Sequence, residues 1–291
     1  LAVRPSRELA LTVVTAAAAF TVAACSGRPV LLEGVRARTL AAALHVSFTR
    51  AVDAADRAVM ADTDDASNAA AKEARAATET AQKNRDELKG VLDGLGYGEE
   101  VKELQEFESG FGELRKLDDE ILPLAVENTN LKAQRLSFGE AQRAVDDLTS
   151  ALGAVAGHTA RAGDAPLLAE RCLNAVLRIQ TLQARHIAEA SDDRMTAIEQ
   201  QMDQATTAAR DQLAKLASMV GTGDRDITAA RVALDLFVDD NRAIVRMSRQ
   251  NTNVRSLALS LGRKQILAAE CEAHLAAIDA ALTGRESRAV R

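Results

Sequence analysis

The chain has 291 residues, 47% apolar, 27% charged and 2% aromatic, and carries a formal net charge of −6. That acidic balance argues against the basic patches that nucleic acid or an anionic membrane surface requires. With no Trp and a single Tyr the chain lacks the aromatic bulk of a β or α/β core. Its abundant Ala, Leu, Glu, Gln, Arg and Lys are strong helix formers, so the expected fold class is all-α.

At the amino end, Arg4 and Arg7 precede a 16-residue apolar run from Leu9 to Ala24, which ends in Val22-Ala23-Ala24-Cys25. A basic start, an apolar middle and small residues at the end make a bacterial export signal. The last four residues resemble the lipobox of bacterial lipoproteins, in which the cysteine is lipidated and becomes the first mature residue. The alternative, an uncleaved anchor helix, is short of the ~20 residues that span a bilayer. The expectation is a signal at 1–24, lipidation at Cys25, a linker at 25–32 and an exported protein anchored to the envelope on its periplasmic face. Ser26 resembles the sorting residue of outer-membrane lipoproteins, which places the anchor there in a diderm host.

Helix breakers then cluster at few places: Gly90 to Gly98, Gly153 to Pro166, and Gly221-Thr222-Gly223. The intervals predict helices over 33–93, 99–155, 165–220 and 224–284, with Asp164 and Asp224 as caps. Short links between long helices give antiparallel neighbours, so 33–285 reads as one elongated up-down-up-down four-helix bundle, with a tail at 286–291. The halves repeat. Asn128-Thr129-Asn130 falls on Asn251-Thr252-Asn253 at an offset of 123, and Val59–Asp65 falls on His186–Asp192 at 127. One hairpin (33–155) is therefore duplicated as a second (165–284). Leu117, Ile121, Leu124, Asn128, Leu131, Arg135 and Phe138 alternate steps of four and three, as do Ile244, Met247, Asn251, Val254, Ala258 and Leu261. Such spacing makes a knobs-into-holes seam. Pro123, inside the second predicted helix, is expected to kink it.

The duplicated Asn-Thr-Asn segments, Glu127 before the first and the long Ala-rich helices resemble the extracytoplasmic four-helix-bundle sensor region of methyl-accepting chemotaxis proteins, over roughly 35–285. The resemblance implies a small-organic-ligand sensor, dimerisation, and signalling through a membrane receptor or kinase partner. No HAMP-sized module or signalling hairpin follows, so the expectation is a sensor module without a transmitter. The rival expectation is a structural or interaction lipoprotein, a helical spacer with no small ligand.

Two sites stand out. Cys172 and Cys271 have their midpoint in the Gly221–Gly223 turn, which places them level in an antiparallel hairpin. In an oxidising compartment they are expected to form a disulfide, worth ~4–5 kcal/mol on the loop-entropy model; the alternative is two small buried hydrophobes. Asn128 and Asn251 interrupt apolar seams and need partners. Either they bond one another and fix register, or they line a polar gap where Lys132, Arg135, Arg249 and Arg255 receive a carboxylate ligand. Asp62-Thr63-Asp64 with Glu73 echoes a calcium loop but carries Ala66 and Ser67 where a ligand and a glycine are required. The four histidines lack metal-ligand spacing, and no nucleophile grouping or phosphate loop appears. No metal, no cofactor and no enzymatic activity are expected.

Overall fold

The computed structural model describes the backbone of residues 8–159 and 163–289 and the side chains of 31–159 and 163–288. Cys25, the expected lipidation site, and the expected signal at 1–24 therefore lie outside the described side chains. Every described element is helical: α1 (Glu8–Met60), α2 (Asp64–Leu95), α3 (Gly98–Glu127), α4 (Thr129–Phe138), α5 (Glu140–His158), α6 (Ala165–Ala188), α7 (Asp192–Val220), α8 (Arg225–Gln250), α9 (Thr252–Leu259), a π turn (Ser260–Lys264) and α10 (Gln265–Ala289). The all-α expectation holds. Among the described residues, no helix is long and apolar enough to cross a membrane.

The four uninterrupted rods do not form; each is divided. The segments 33–93 and 165–220 break between Met60 and Asp64 and between Ala188 and Asp192, where no glycine or proline stands. The break is made by capping. Thr63 Oγ1 accepts from the Ala66 amide at 3.2 Å, and Ser191 Oγ accepts from the Arg194 amide at 3.4 Å. Asp64–Asp65 and Asp192–Asp193 then supply negative charge to the positive ends of α2 and α7. The Asp-Thr-Asp stretch that echoes a calcium loop is thus a helix start. The segments 99–155 and 224–284 break instead at single residues, Asn128 and Gly139 in the first and Asn251 and Gly262 in the second. α3 runs through Pro123 to Glu127.

The chain packs as two compact units instead of the single bundle expected for 33–285. Unit 1 comprises 1–57, 69–119 and 261–291; unit 2 comprises 58–68 and 120–260. The core of unit 1 lies among α1, α2, α3 and α10, with Leu44, Leu88, Leu104 and Ile278 almost wholly buried. Three of the six phenylalanines meet there: Phe48 is edge-on to Phe107 at 5.4 Å, and Phe107 stacks on Phe111 at 5.3 Å. The core of unit 2 is drawn from α5, α6, α7 and α8, with Ala133 of α4. The first repeat thus supplies α5 to the core of unit 2, and the second supplies α10 to that of unit 1.

This exchange overturns the disulfide. Cys172 is buried in unit 2 and Cys271 in unit 1, and both are free thiols. Cys172 and Cys271 would face each other only across two continuous antiparallel rods. In the structure α6 turns back as α7 at Ser191, and α10 joins unit 1, so the two cysteines fall in different cores. Burial pushes both thiols up to about 12, which leaves them as small hydrophobes. The predicted seams also lose phase at the joints: beyond Asn128, Phe138 is 68% exposed while Ala133 is fully buried.

Candidate functional site

Asn128 and Asn251 adopt left-handed backbone conformations, φ 52°, ψ 39° and φ 56°, ψ 34°. They are the positive-φ non-glycine residues among those described, and asparagine tolerates this region better than most side chains. Each is a one-residue joint, and the carbonyl of each starts the next helix by accepting from Lys132 N at 2.9 Å and Arg255 N at 3.0 Å.

The two joints cap one another. A helix start leaves its first amides without intrahelical partners. The Thr129 amide donates to Thr252 Oγ1 at 3.0 Å, and the Thr252 amide to Thr129 Oγ1 at 3.2 Å. The Asn130 amide donates to Asn253 Oδ1 at 3.1 Å, and the Asn253 amide to Asn130 Oδ1 at 3.2 Å. Asn130 Nδ2 reaches Asn251 Oδ1 and Asn253 Nδ2 reaches Asn128 Oδ1, both at 2.8 Å. Bonds also run to the neighbouring turns: Asn128 Nδ2 donates to Asp64 Oδ1 at 3.1 Å, and Asn251 Nδ2 to the Glu189 carbonyl at 2.9 Å. The side-chain oxygen and nitrogen of both asparagines thus each have a partner within the protein.

The cations expected beside them are also occupied. Lys132 Nζ donates to the last carbonyl of α3, at Glu127, at 2.8 Å. Arg135 reaches the Asp62 carbonyl at 2.9 Å and Asp64 at 3.4 Å. Arg249 turns toward α7, with Nε 2.6 Å from Glu199 Oε1 and Nη2 3.0 Å from Oε2. Arg255 is exposed. The four charges therefore do not converge on one space.

Beneath the α6–α7 turn lies a polar cluster with no signature in the sequence. His186 is fully buried; its Nδ1 bonds Ser248 Oγ, and its Nε2 lies 2.7 Å from Glu199 Oε1. The Arg249 guanidinium, then His186, hold the Glu199 carboxyl below the usual carboxylate range. Ser, His and Glu here follow the order of a hydrolytic triad, but Ser248 and His186 are both wholly enclosed, so the arrangement serves packing. At 123 and 127 residues upstream the corresponding positions are Ala125 and Val59.

A second cluster distinguishes the repeats. Gln183 in unit 2 donates to Asn241 Oδ1 at 2.9 Å and accepts from Ser137 at 2.7 Å. By the same offsets their counterparts in unit 1 are Asp56 and Asp118. Between these carboxylates sits Lys264, 1% exposed, with Nζ 3.0 Å from Asp56 Oδ1. Asp118 Oδ1 is 3.2 Å from Nζ but off the hydrogen-bond direction. Burial raises the Asp118 carboxyl above its ordinary value against the pull of Lys264. The counterpart of Lys264 is Ala141, so unit 1 carries an acid–lysine–acid group around a buried ammonium where unit 2 carries amides.

For metal binding, the grouping found among the described residues is His158, Asp224 and Asp226, whose ligand atoms lie within 4.8 Å of one another. Asp224 Oδ1 is already committed to the Asp226 and Ile227 amides as the cap of α8, and the positive end of that helix opposes a cation. Open grooves flank the exposed ridge of α1: Ala42, Ala43 and Val46 face Ala76 and Ala77 of α2 on one side, and Val46 and Thr49 face Leu275 and Asp279 of α10 on the other. No family model, curated protein or solved structure matches the chain.

Proposed function

We propose that this chain is an exported, lipid-anchored helical interaction module that engages an envelope partner through the exposed face of α1, with each unit built as a four-helix bundle. The observation that carries this reading is the pattern of that face. Leu32, Val35, Thr39, Ala42, Val46 and Thr49 recur at steps of three and four, are exposed and carry no charge. This is the spacing of a helix-pairing seam, on the helix that leads from the predicted anchor. Charged groups beside it are paired within the protein, Arg50 with Glu73 at 2.8 Å and Glu272 with His45 at 2.8 Å. The seam thus favours an uncharged stripe on an amphipathic partner helix. The Asn-Thr-Asn layer, by contrast, spends its polar groups on itself, which supports the register role over a ligand pocket.

Palmitate labelling lost in Cys25→Ser tests the anchor. A photo-crosslinker at Val46 that captures one envelope protein, with capture lost in Ala42→Glu, tests the face. A rise in melting temperature with amino or dicarboxylic acids, lost in Asn128→Ala, would replace the interaction reading with the sensor reading that the chemoreceptor resemblance implies.

A further inference from the structure

α10 closes unit 1 as α5 closes unit 2, but the two are held by different forces. Over 19 residues, α5 buries seven apolar side chains between Ala141 and Val155. Over 25 residues, α10 buries Cys271, Leu275, Ile278 and Leu282, while Ile266 stays 62% exposed. Fewer buried apolar side chains on a longer helix mean less attachment of the kind that salt does not screen. At one point α10 sits close on α3, where Cys271 Sγ packs over Gly110, but that single tight contact spans one turn of a 25-residue helix.

Charge makes up the difference. From its first turn to its last, α10 and the residues leading into it are pinned to α1 and α3 by ion pairs and by hydrogen bonds to carboxylates. Lys264 joins Asp56 and Asp118, and Arg263 meets Glu113 at 3.3 Å. His274 Nδ1 lies 2.8 Å from Glu103, and Glu272 bridges His45 and Thr49 at 2.8 and 3.0 Å. Arg285 clasps Glu100 with two nitrogens and lies 4.0 Å over the Tyr97 ring, and Arg38 meets Glu286. Among the described residues, the ion pairs from α5 to the rest of unit 2 are those of His158 with Asp224 and Asp226, at 3.4 and 3.7 Å. Most of the α10 pairs are partly exposed, where salt screens attraction.

We propose that α10 is a detachable latch on unit 1, held shut by this ladder of ion pairs, whose release uncovers the α1–α2–α3 face containing Phe48, Phe107 and Phe111. The latch does not rest on the anchor, and it touches the seam on α1 at Thr49, which donates to Glu272.

Hydrogen exchange by mass spectrometry on the full chain at pH 7, in 0.05 and 0.5 M sodium chloride, is the test. Peptides from α10 are expected to exchange on the order of tenfold faster at high salt, with α5 peptides unchanged. In Gly110→Cys the new Cβ stands where a disulfide to Cys271 closes, and oxidation is expected to abolish the salt response, with reduction restoring it. Glu100→Gln with Glu113→Gln, which removes the carboxylates facing Arg285 and Arg263, supplies an independent arm and is expected to speed α10 exchange at low salt. Equal salt responses in α10 and α5, or unchanged α10 exchange in the double glutamine variant, overturn the proposal.

Discussion

Replacing Lys264 by methionine keeps most of the side chain's volume and removes its charge, so the variant isolates the ammonium. In the native protein that ammonium is 1% exposed and lies 3.0 Å from Asp56 and 3.2 Å from Asp118. Asp56 is 45% exposed and recovers solvation from water, whereas Asp118, 9% exposed, does not. The cost therefore falls on one stranded carboxylate. Breaking a buried pair on one side costs about 3–5 kcal/mol, and the lower end applies because Asp56 shares the lysine. Lys264→Met is expected to lose about 3 kcal/mol at pH 7.5 in urea unfolding followed by circular dichroism. Burial already raises the native Asp118 carboxyl, and loss of Lys264 raises it further. The native state then takes up that proton at a higher pH than the unfolded state, so stability rises as pH falls through the raised value. The deficit is expected to shrink toward pH 5. Adding Asp118→Asn copies the Asn241 of the other repeat and is expected to recover the stability to within about 1 kcal/mol. A loss under about 1 kcal/mol that does not vary with pH would refute the reasoning.

Further outcomes follow from other sites. Asn251→Gly is expected to be less damaging than Asn251→Ala by about 1 kcal/mol in the same unfolding assay, because both lose the amide bonds but only alanine is strained at φ 56°. Thiol titration of the denatured, unreduced protein is expected to find Cys172 and Cys271 free, and titration of the native protein to be slow, since both are buried with thiols pushed up to about 12. Gly139→Ala places a Cβ 2.8 Å from the Arg135 carbonyl and is expected to cost about 1–3 kcal/mol. Gly153→Ala, with open space around it inside α5, is expected to add about 0.5–1 kcal/mol. Glu199 is held below the ordinary carboxylate value, so its contribution is present above about pH 4.3 and disappears as pH falls through the lower folded value. Glu199→Gln should flatten stability against pH in that acidic window.

The helical class and the duplication are legible in the chain because they are local: composition sets the first, and alignment of 128–139 with 251–262 sets the second. The hairpin turns at Thr63 and Ser191 were also written locally, as a hydroxyl followed by two aspartates, but a search weighted toward glycine and proline passes over them. The asparagine joints are visible as seam defects, yet a left-handed residue resets helical phase, and spacing carried across it puts Phe138 on the wrong face. The clusters of His186 and Lys264 could not be read. The first forms where α6, α7 and α8 pack together, and the second joins residues up to 208 apart that meet only because α10 packs in unit 1.

That exchange also fixes how such a gene can shrink. The apolar stripe of α5 is matched by helices encoded downstream of it, and that of α10 by helices encoded far upstream. Deleting either copy would strand a greasy surface in the survivor instead of leaving a smaller, intact ancestor. Once the copies had traded helices, the doubling became a one-way step.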